Sequence, residues 1–309
     1  MRPRVRRWGT MIDDDDKTSD VVGDPARVMR SKPSPMVVGV VLNWKDADST
    51  LKCVDSLRAD PAVSRVVVVD NETDGELRAG LNDDVELIEQ VENLGFSRGV
   101  NVGLRWALAN GADAALVINN DAFVSLGAVG ELIRSWLEND GGVLAPLIRD
   151  PDGTIQSTGG QFRACIASTK DVATSARVDY LTWACVLLPR ATLERVGLLD
   201  EEFFMYWEDV DYGFRVREAG LSLEVVEGAT VHHERSKSHS RAGNAIDLYS
   251  AHGLVVLAKK RGGVVLVLGL PVRLTARLLR RLLNRDFDAV KAVLRGARSG
   301  WRGLSAADR

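Results

Sequence analysis

Apolar residues along this chain fall into two alternating rhythms. "MVVGVVLNW" (36–44) is a continuous, β-branched run that stops at the polar Asn43, the pattern of a strand buried on both faces. "DADSTLKCVDSLRAD" then changes period, with Leu51, Val54 and Leu57 at helical spacing ahead of Pro61. "SRVVVVDNETDG" (64–75) repeats the buried strand and ends on Asp70 and Asn71. "VELIEQ" supplies a third strand, "SRGVNVGLRWALANG" a helix closed by Gly111, and "DAALVINND" a fourth strand. Strand and helix alternating at this spacing predict a doubly wound, mostly parallel α/β sheet.

Beyond residue 125 the alternation loosens. "LGAVGELIRSWLEND" is an amphipathic helix, and "GGVLAPLIRDPDGTIQSTGG" a strand with a Pro-Asp-Gly turn. "VDYLTWACVLLPRATLERVGLLD" reads as a strand feeding a short helix. In "EEFFMYWEDVDYGFRVREAG" a helix begins near Glu208 and stops at Gly220, and "LSLEVVEGATVHHERS" is a further strand.

Composition narrows the class. With 45% hydrophobic and 27% charged residues in 309, the chain can bury a sizeable core. Its charge is unevenly placed: residues 259–309 hold 13 Lys and Arg against three acids, although the whole chain is net −3. An acidic body with a basic tail is the wrong distribution for a nucleic-acid binder. It suits a body that handles metal and a tail that meets an anionic surface. Cys53, Cys165 and Cys185 form no CxxC pair and are expected to be reduced core thiols of a cytosolic protein. Residues 1–35 lack the apolar run of a signal peptide and read as a disordered leader. "GVVLVLGLPV" (263–272) is too short to span a bilayer. "VRLTARLLRRLL" (272–283) could lay an apolar face on a membrane and hold arginines to anionic lipid, or pack on the body.

The candidate chemistry lies where strands end. Asn43 with Trp44, Asp70 with Asn71, and Asn119, Asn120 and Asp121 close three parallel strands, so they share the edge at which open α/β sheets bind ligands. A strand-end carboxylate there is placed to hold a hard cation. His232 and His233 end a later strand on opposite faces, so one of them could meet Asp121 as the imidazole partner of an oxygen-rich metal site. Glu208, Asp209 and Asp211 complement a helix dipole, and Asp211 with Arg215 forms an i,i+4 pair. A carboxylate beside Tyr206 and Trp207 is also partly desolvated, and can act as a base near neutral pH.

These stretches together resemble the inverting family 2 glycosyltransferases of GT-A fold, most closely their rhamnosyltransferase-like branch. "VVLNWKDADSTLKCVDSL", "VVVVDNETDG", "ENLGFSRGVNVGL", "VINNDAFV", "APLIRDPDG", "LLDEEFFMYWEDVDYGFRVREAG" and "VHHERSKS" occur in family order across residues 37–240. The resemblance implies a GT-A domain over 36–240 and a basic, amphipathic helical tail over 241–309. It assigns nucleotide-sugar binding to Asn43, Asp70, Asn71, Asn93, Gly95, Arg98, Asn101, Asn119, Asn120 and Asp121. It gives Mg²⁺ or Mn²⁺ to Asp121 with His232 or His233. It makes Asp209 the base for the acceptor hydroxyl, with Glu208 beside it. Asn119 stands where many relatives carry an acid, and Arg98 and Val100 replace the small residue and the Asn of "GFAGGNN".

The expected activity is metal-dependent transfer of a sugar, first of all rhamnose from dTDP-rhamnose, to a glycan, lipid-linked or small-molecule acceptor. The expected location is cytoplasmic, with peripheral contact at the inner face of a membrane. The alternatives are a UDP-sugar-dependent transferase of the same fold and a non-catalytic nucleotide-sugar-binding protein. A phosphatase using Asp70 as nucleophile lacks the second acid it needs, since Glu72 is a poor substitute. A nucleotidyltransferase would show a Gly-rich arginine loop that "LNWKDADST" lacks.

Overall fold

A nine-stranded mixed sheet organises the chain, in a computed structural model that describes residues 34–139, 142–172, 177–234 and 243–305. The first half follows the alternation of the sequence: β1 (Val37–Asn43), α1 (Ala47–Ala59), β2 (Arg65–Asp70), β3 (Val85–Glu89), α2 (Gly95–Ala109) and β4 (Ala114–Asn119). Strands β3, β2, β1 and β4 lie side by side and parallel. The continuous valine runs are explained by cover on both faces. Val37, Val41, Val66 and Val68 pack with Cys53, Val54 and Leu57 of α1, while Val38, Val40 and Val67 pack with Val100, Leu104 and Ala107 of α2. Asp46 caps α1 by accepting from the Ser49 N–H at 3.4 Å.

After β4 the sheet turns mixed. The next elements are β5 (Ala122–Val124), α3 (Ala128–Asn139), β6 (Val143–Arg149), β7 (Ile155–Ser157), β8 (Gly160–Arg163), β9 (Ser168–Asp171), β10 (Cys185–Pro189), α4 (Arg190–Val196), α5 (Glu208–Glu218) and β11 (Leu223–His233). β10 runs antiparallel between β4 and β6; β11 runs parallel to β6 and antiparallel to the short β5. This last pairing sets His233 opposite Ala122, immediately after Asp121.

Among the described residues three helices follow: α6 (Ala245–Arg261), α7 (Leu270–Leu283), entered through a π turn at Val265–Gly269, and α8 (Phe287–Arg302). Leu254, Val255, Leu257, Val265 and Leu270 join Phe203, Trp207 and Val210 in a third apolar cluster, so these helices pack against the aromatic segment before α5. From Pro35 onward the chain is one compact unit. The leader expected at 1–35 falls, save its last two residues, outside the described residues. The expectation of three core thiols needs correction: Cys53 and Cys185 are buried, but Cys165 is exposed, because it sits in a short turn outside the sheet.

Candidate active site

The register of the parallel strands brings their polar ends together. Asn43 stands opposite Asp70, and Leu42 opposite Asn119, so three strand ends form one ledge. A cavity of about 930 Å³ opens there. Of the residues singled out from sequence, Asn71, Asn93, Gly95, Asn119, Asn120, Asp121, Glu208, Asp209 and His233 line it. Asn43, Asp70, Arg98, Asn101 and His232 do not.

Asn43 and Asp70 lie beneath the ledge, both almost wholly buried. Asn43 donates to Asp70 Oδ1 at 2.7 Å and accepts from the Thr50 hydroxyl at 2.7 Å, so its amide is spent inside the fold. Asp70 keeps one buried oxygen, Oδ2, with no partner among the described residues. Asn71 ties down the next loop. It donates to Asn93 Oδ1 and Gly95 O, and accepts from the Leu94 N–H at 2.8 Å. Gly95 is obligatory: its φ is +78°, and a Cβ would lie 2.5 Å from the Phe204 carbonyl. Arg98 and Asn101 face away from the cavity. Arg98 pairs with Glu201 at 3.4 Å. Asn101 bonds Leu199 through both its amide atoms, fastening α2 to the segment that leads to α5.

Asp121 meets His233 across the β5–β11 pairing, with Oδ1 3.0 Å from Nε2. The other ring nitrogen, Nδ1, is 2.6 Å from Gln156 Oε1. Gln156 donates its Nε2 to Asp150 Oδ1 at 2.8 Å and to the His233 carbonyl at 3.2 Å, which fixes its amide orientation. Its Oε1 is therefore the acceptor and Nδ1 the donor, which leaves Nε2 facing the Asp121 carboxylate. A ring nitrogen and a carboxylate oxygen at that distance share a proton or a cation. A ring oriented by a polar partner behind it is the arrangement of metal-ligating histidines. His232 points to the opposite face of β11, as strand alternation requires. Among the described residues no group of three or more His, Cys, Asp or Glu could hold a metal, so a cation here needs further ligands from a bound molecule.

Glu208 and Asp209 begin α5 after two non-glycine residues with positive φ, Tyr206 at 70° and Trp207 at 75°. Such backbone costs about 1–3 kcal/mol per residue and persists only where packing over-determines it. Here Trp207 Nε1 donates to the Ser250 carbonyl at 3.0 Å, and α6 presses against the turn at Gly253, where a Cβ would lie 2.5 Å from the Tyr206 carbonyl. Removal from water raises the Asp209 carboxyl to about 6. Glu208 is pushed well above the usual carboxylate range, first by burial and then by the charge of Asp209. Its Oε2 is buried without a partner among the described residues. Asp211, in contrast, is buried between Arg215 at 2.9 Å and Arg261 at 3.2 Å, and fastens α5 to α6.

The glycosyltransferase-like family 2 model matches residues 34–246, which include every strand of this ledge. The chain belongs to that family. A hexosyltransferase of low-salt glycan biosynthesis from Haloferax volcanii is 23% identical over 223 residues, covering 68% of this chain and 71% of that protein. An N-acetylglucosaminyl-diphospho-decaprenol L-rhamnosyltransferase from Mycobacterium tuberculosis is 29% identical over 232 residues, covering 64% and 74%. A dTDP-rhamnosyl transferase from Shigella flexneri is 24% identical over 193 residues, covering 60% and 65%. Among solved structures, a Pyrobaculum calidifontis mannosyltransferase with GDP-Man and Mn²⁺ superposes with a TM-score of 0.54 at 14% identity, over 89% of this chain and 77% of that one. The fold is GT-A, and the chain is a rhamnosyltransferase-like glycosyltransferase of family 2.

Several lining residues of this transferase escaped the sequence reading. Gln156 follows a turn, and no local pattern links it to a histidine 77 positions away. Trp183 ends a loop before β10, and Ile246 and Tyr249 come from α6. Tyr249 stacks on Phe204 with ring centres 4.4 Å apart. The one available signal was the aromatic cluster at 203–207, which asks for a partner without naming it.

Proposed function

We propose that this transferase is a metal-dependent, inverting enzyme that moves rhamnose from dTDP-rhamnose to a hydroxyl of a glycan, lipid-linked or small-molecule acceptor. Residues 36–240 serve as its catalytic domain and 241–309 as a basic helical tail. One observation carries this reading: a single cavity holds the Asp121–His233 pair and also a carboxylate raised to about 6, Asp209.

The base and ribose of the donor settle on the ledge. The Asp70 oxygen beneath it that has no partner among the described residues suits an N–H donor such as a pyrimidine base provides, and the loop held by Asn71 and Asn93 borders the same side. Asn119 and Asn120 flank the sugar-diphosphate. Asp121 and His233 would hold Mg²⁺ or Mn²⁺, with diphosphate oxygens completing the shell. Such an ion supplies Lewis-acid stabilisation of the charge that develops on the leaving diphosphate.

On the acceptor side Asp209 takes the proton of the incoming hydroxyl. The oxygen forms its bond to the anomeric carbon as the bond from that carbon to the diphosphate oxygen breaks. The electron pair leaves with the nucleoside diphosphate, and attack from the opposite face inverts the centre. A base of pKa about 6 is ionised at neutral pH yet still takes a proton readily. Glu208, whose carboxyl is pushed up by burial and by the Asp209 charge, lines the same cavity beside the base and can orient the acceptor. The names of two relatives favour rhamnose, and one of them describes a decaprenol-linked acceptor. Peripheral contact with a membrane through the tail completes the proposal.

The test is a thermal-shift screen of dTDP, UDP and GDP sugars with and without Mg²⁺ or Mn²⁺, followed by a donor-turnover assay. Selective, metal-dependent stabilisation by dTDP-rhamnose is expected. Preference for a UDP sugar would replace the donor, and binding without hydrolysis or transfer would make the protein a nucleotide-sugar binder.

A further inference from the structure

Residues 263–283 form one unbroken helical run, about 31 Å long at 1.5 Å per residue, with the π turn inside it. A surface helix ordinarily turns its apolar stripe inward. This one is reversed. Its inward face carries Val265 and Leu270 and then two arginines, Arg277 and Arg281. Both arginines reach Asp247, a fully buried acid in the first turn of α6: Arg277 Nε lies 2.6 Å from Oδ1 and Arg281 Nη2 lies 2.7 Å from Oδ2. Its outward face carries Val264, Val267, Leu268, Val272, Leu279, Leu282 and Leu283, with Phe287 following at the start of α8. Val267 is 77% exposed and Leu283 83%. An apolar stripe of this length facing outward marks a binding surface.

Charge says what covers it. From residue 248 to residue 285 the sequence contains no acid. Arg273, Arg280 and Arg285 flank the stripe and make no ion pair among the described residues. Arg273 is exposed and stands near Arg277 and Arg280, so three positive charges crowd this part of the helix. No described helix is long and apolar enough to cross a membrane. A flat apolar stripe edged by unpaired arginines is the surface of a helix lying in the headgroup region of an anionic bilayer.

We propose that the outward face of residues 264–287 is a bilayer-docking surface, selective for anionic lipid, held in its reversed orientation by the Asp247–Arg277–Arg281 clamp. The clamp also ties this surface to the site. Arg277 donates to the Ser250 hydroxyl at 2.6 Å and to the Ile246 carbonyl at 3.4 Å, while Ile246 and Tyr249 of the same helical turns line the cavity. Docking therefore sets the cavity wall built by α6 relative to the lipid surface. This deepens the membrane contact of the proposed function, but the surface itself does not depend on which sugar is moved.

The test uses the full chain and sedimentation with phosphatidylcholine vesicles, with and without phosphatidylglycerol. Binding should require phosphatidylglycerol and weaken as salt rises. Leu279→Glu/Leu283→Glu should reduce partition by about tenfold or more, since both side chains are exposed in lipid-free protein and their burial is lost. Arg273→Gln/Arg280→Gln should cost about fivefold per arginine on anionic vesicles and nothing on neutral ones. Thermal unfolding and nucleotide-sugar binding, measured without lipid, should match wild type for all variants, so failure of the transferase reading shows in a different assay. Wild-type partition by the Leu279→Glu/Leu283→Glu protein would overturn the proposal. So would a lipid-free dimer that this variant dissolves, which would make the stripe an interface between copies.

Discussion

Replacing Asp209 by Asn keeps the size and hydrogen-bonding capacity of the side chain and removes its charge, so it separates what that charge does for chemistry from its cost to the fold. As general base, Asp209 should be worth about 10²–10⁴-fold in turnover. Its raised pKa makes the opposite prediction for stability. An unfolded Asp titrates near 3.9, whereas the folded group titrates near 6. Between those values the folded state binds more protons than the unfolded one, so wild-type stability falls as pH rises through this window. About two pKa units at 1.36 kcal/mol each set a ceiling near 3 kcal/mol, and sharing of the proton with Glu208 lowers it to about 1–3 kcal/mol. The Asn variant escapes this loss. At pH 7.5 it should melt several degrees higher than wild type, and the difference should vanish near pH 4. Wild-type kcat/KM should rise through about pH 6 and level off, and nucleotide-sugar affinity should be equal in the two proteins. Denaturant unfolding at both pH values, calorimetric binding and a transfer assay check each arm. An Asn variant that keeps most of its turnover while Glu208→Gln abolishes it would show that the wrong carboxylate was chosen. An Asn variant less stable at neutral pH would refute the burial argument.

Asp121→Ala should weaken donor binding sharply in a folded protein, and full transfer in excess EDTA would sink the metal assignment. Gln156→Leu removes the group that fixes the His233 ring and should lower Mn²⁺ affinity in the presence of the nucleotide by about 10–100-fold; an unchanged titration would remove His233 from the ligand set. Gly95→Ala meets a positive φ and the Phe204 carbonyl, and should cost about 1–3 kcal/mol in urea unfolding; a neutral effect would mean that the loop relaxes freely. Asp247→Asn leaves two arginines facing a neutral amide, and should cost about 2–4 kcal/mol, a break of a buried pair discounted for the part-exposed guanidiniums.

Much of the ledge was legible because strand period and strand termination are local properties. An apolar run that stops at Asn43, Asp70 or Asn119 says where the chain leaves the sheet, and parallel order then says that these ends share an edge. Which of these ends line the cavity is set by partners elsewhere in the chain. Asn43 lies at the right strand end but is consumed by Asp70 and Thr50, and Arg98 and Asn101 are drawn off by Glu201 and Leu199. Asp70 lies 27 residues from Asn43 and Leu199 lies 98 from Asn101, separations that no spacing rule reaches.

Local pattern alone set the alternation of the elements, the polar strand ends, the aromatic segment before an acidic helix start, and the apolar face of residues 272–283. These follow from backbone period and side-chain type within a window of a few residues. Tertiary structure decided between the two histidines, because alternation puts them on opposite faces but only the pairing of β11 with β5 says which face meets Asp121. It also decided which way the basic helix points. Periodicity defines a stripe but not its direction, and here Asp247, buried in another helix, draws two arginines inward and turns the leucines out. The acid is wholly buried and the two guanidiniums are partly so, and that contact fixes the rotation of the helix about its axis.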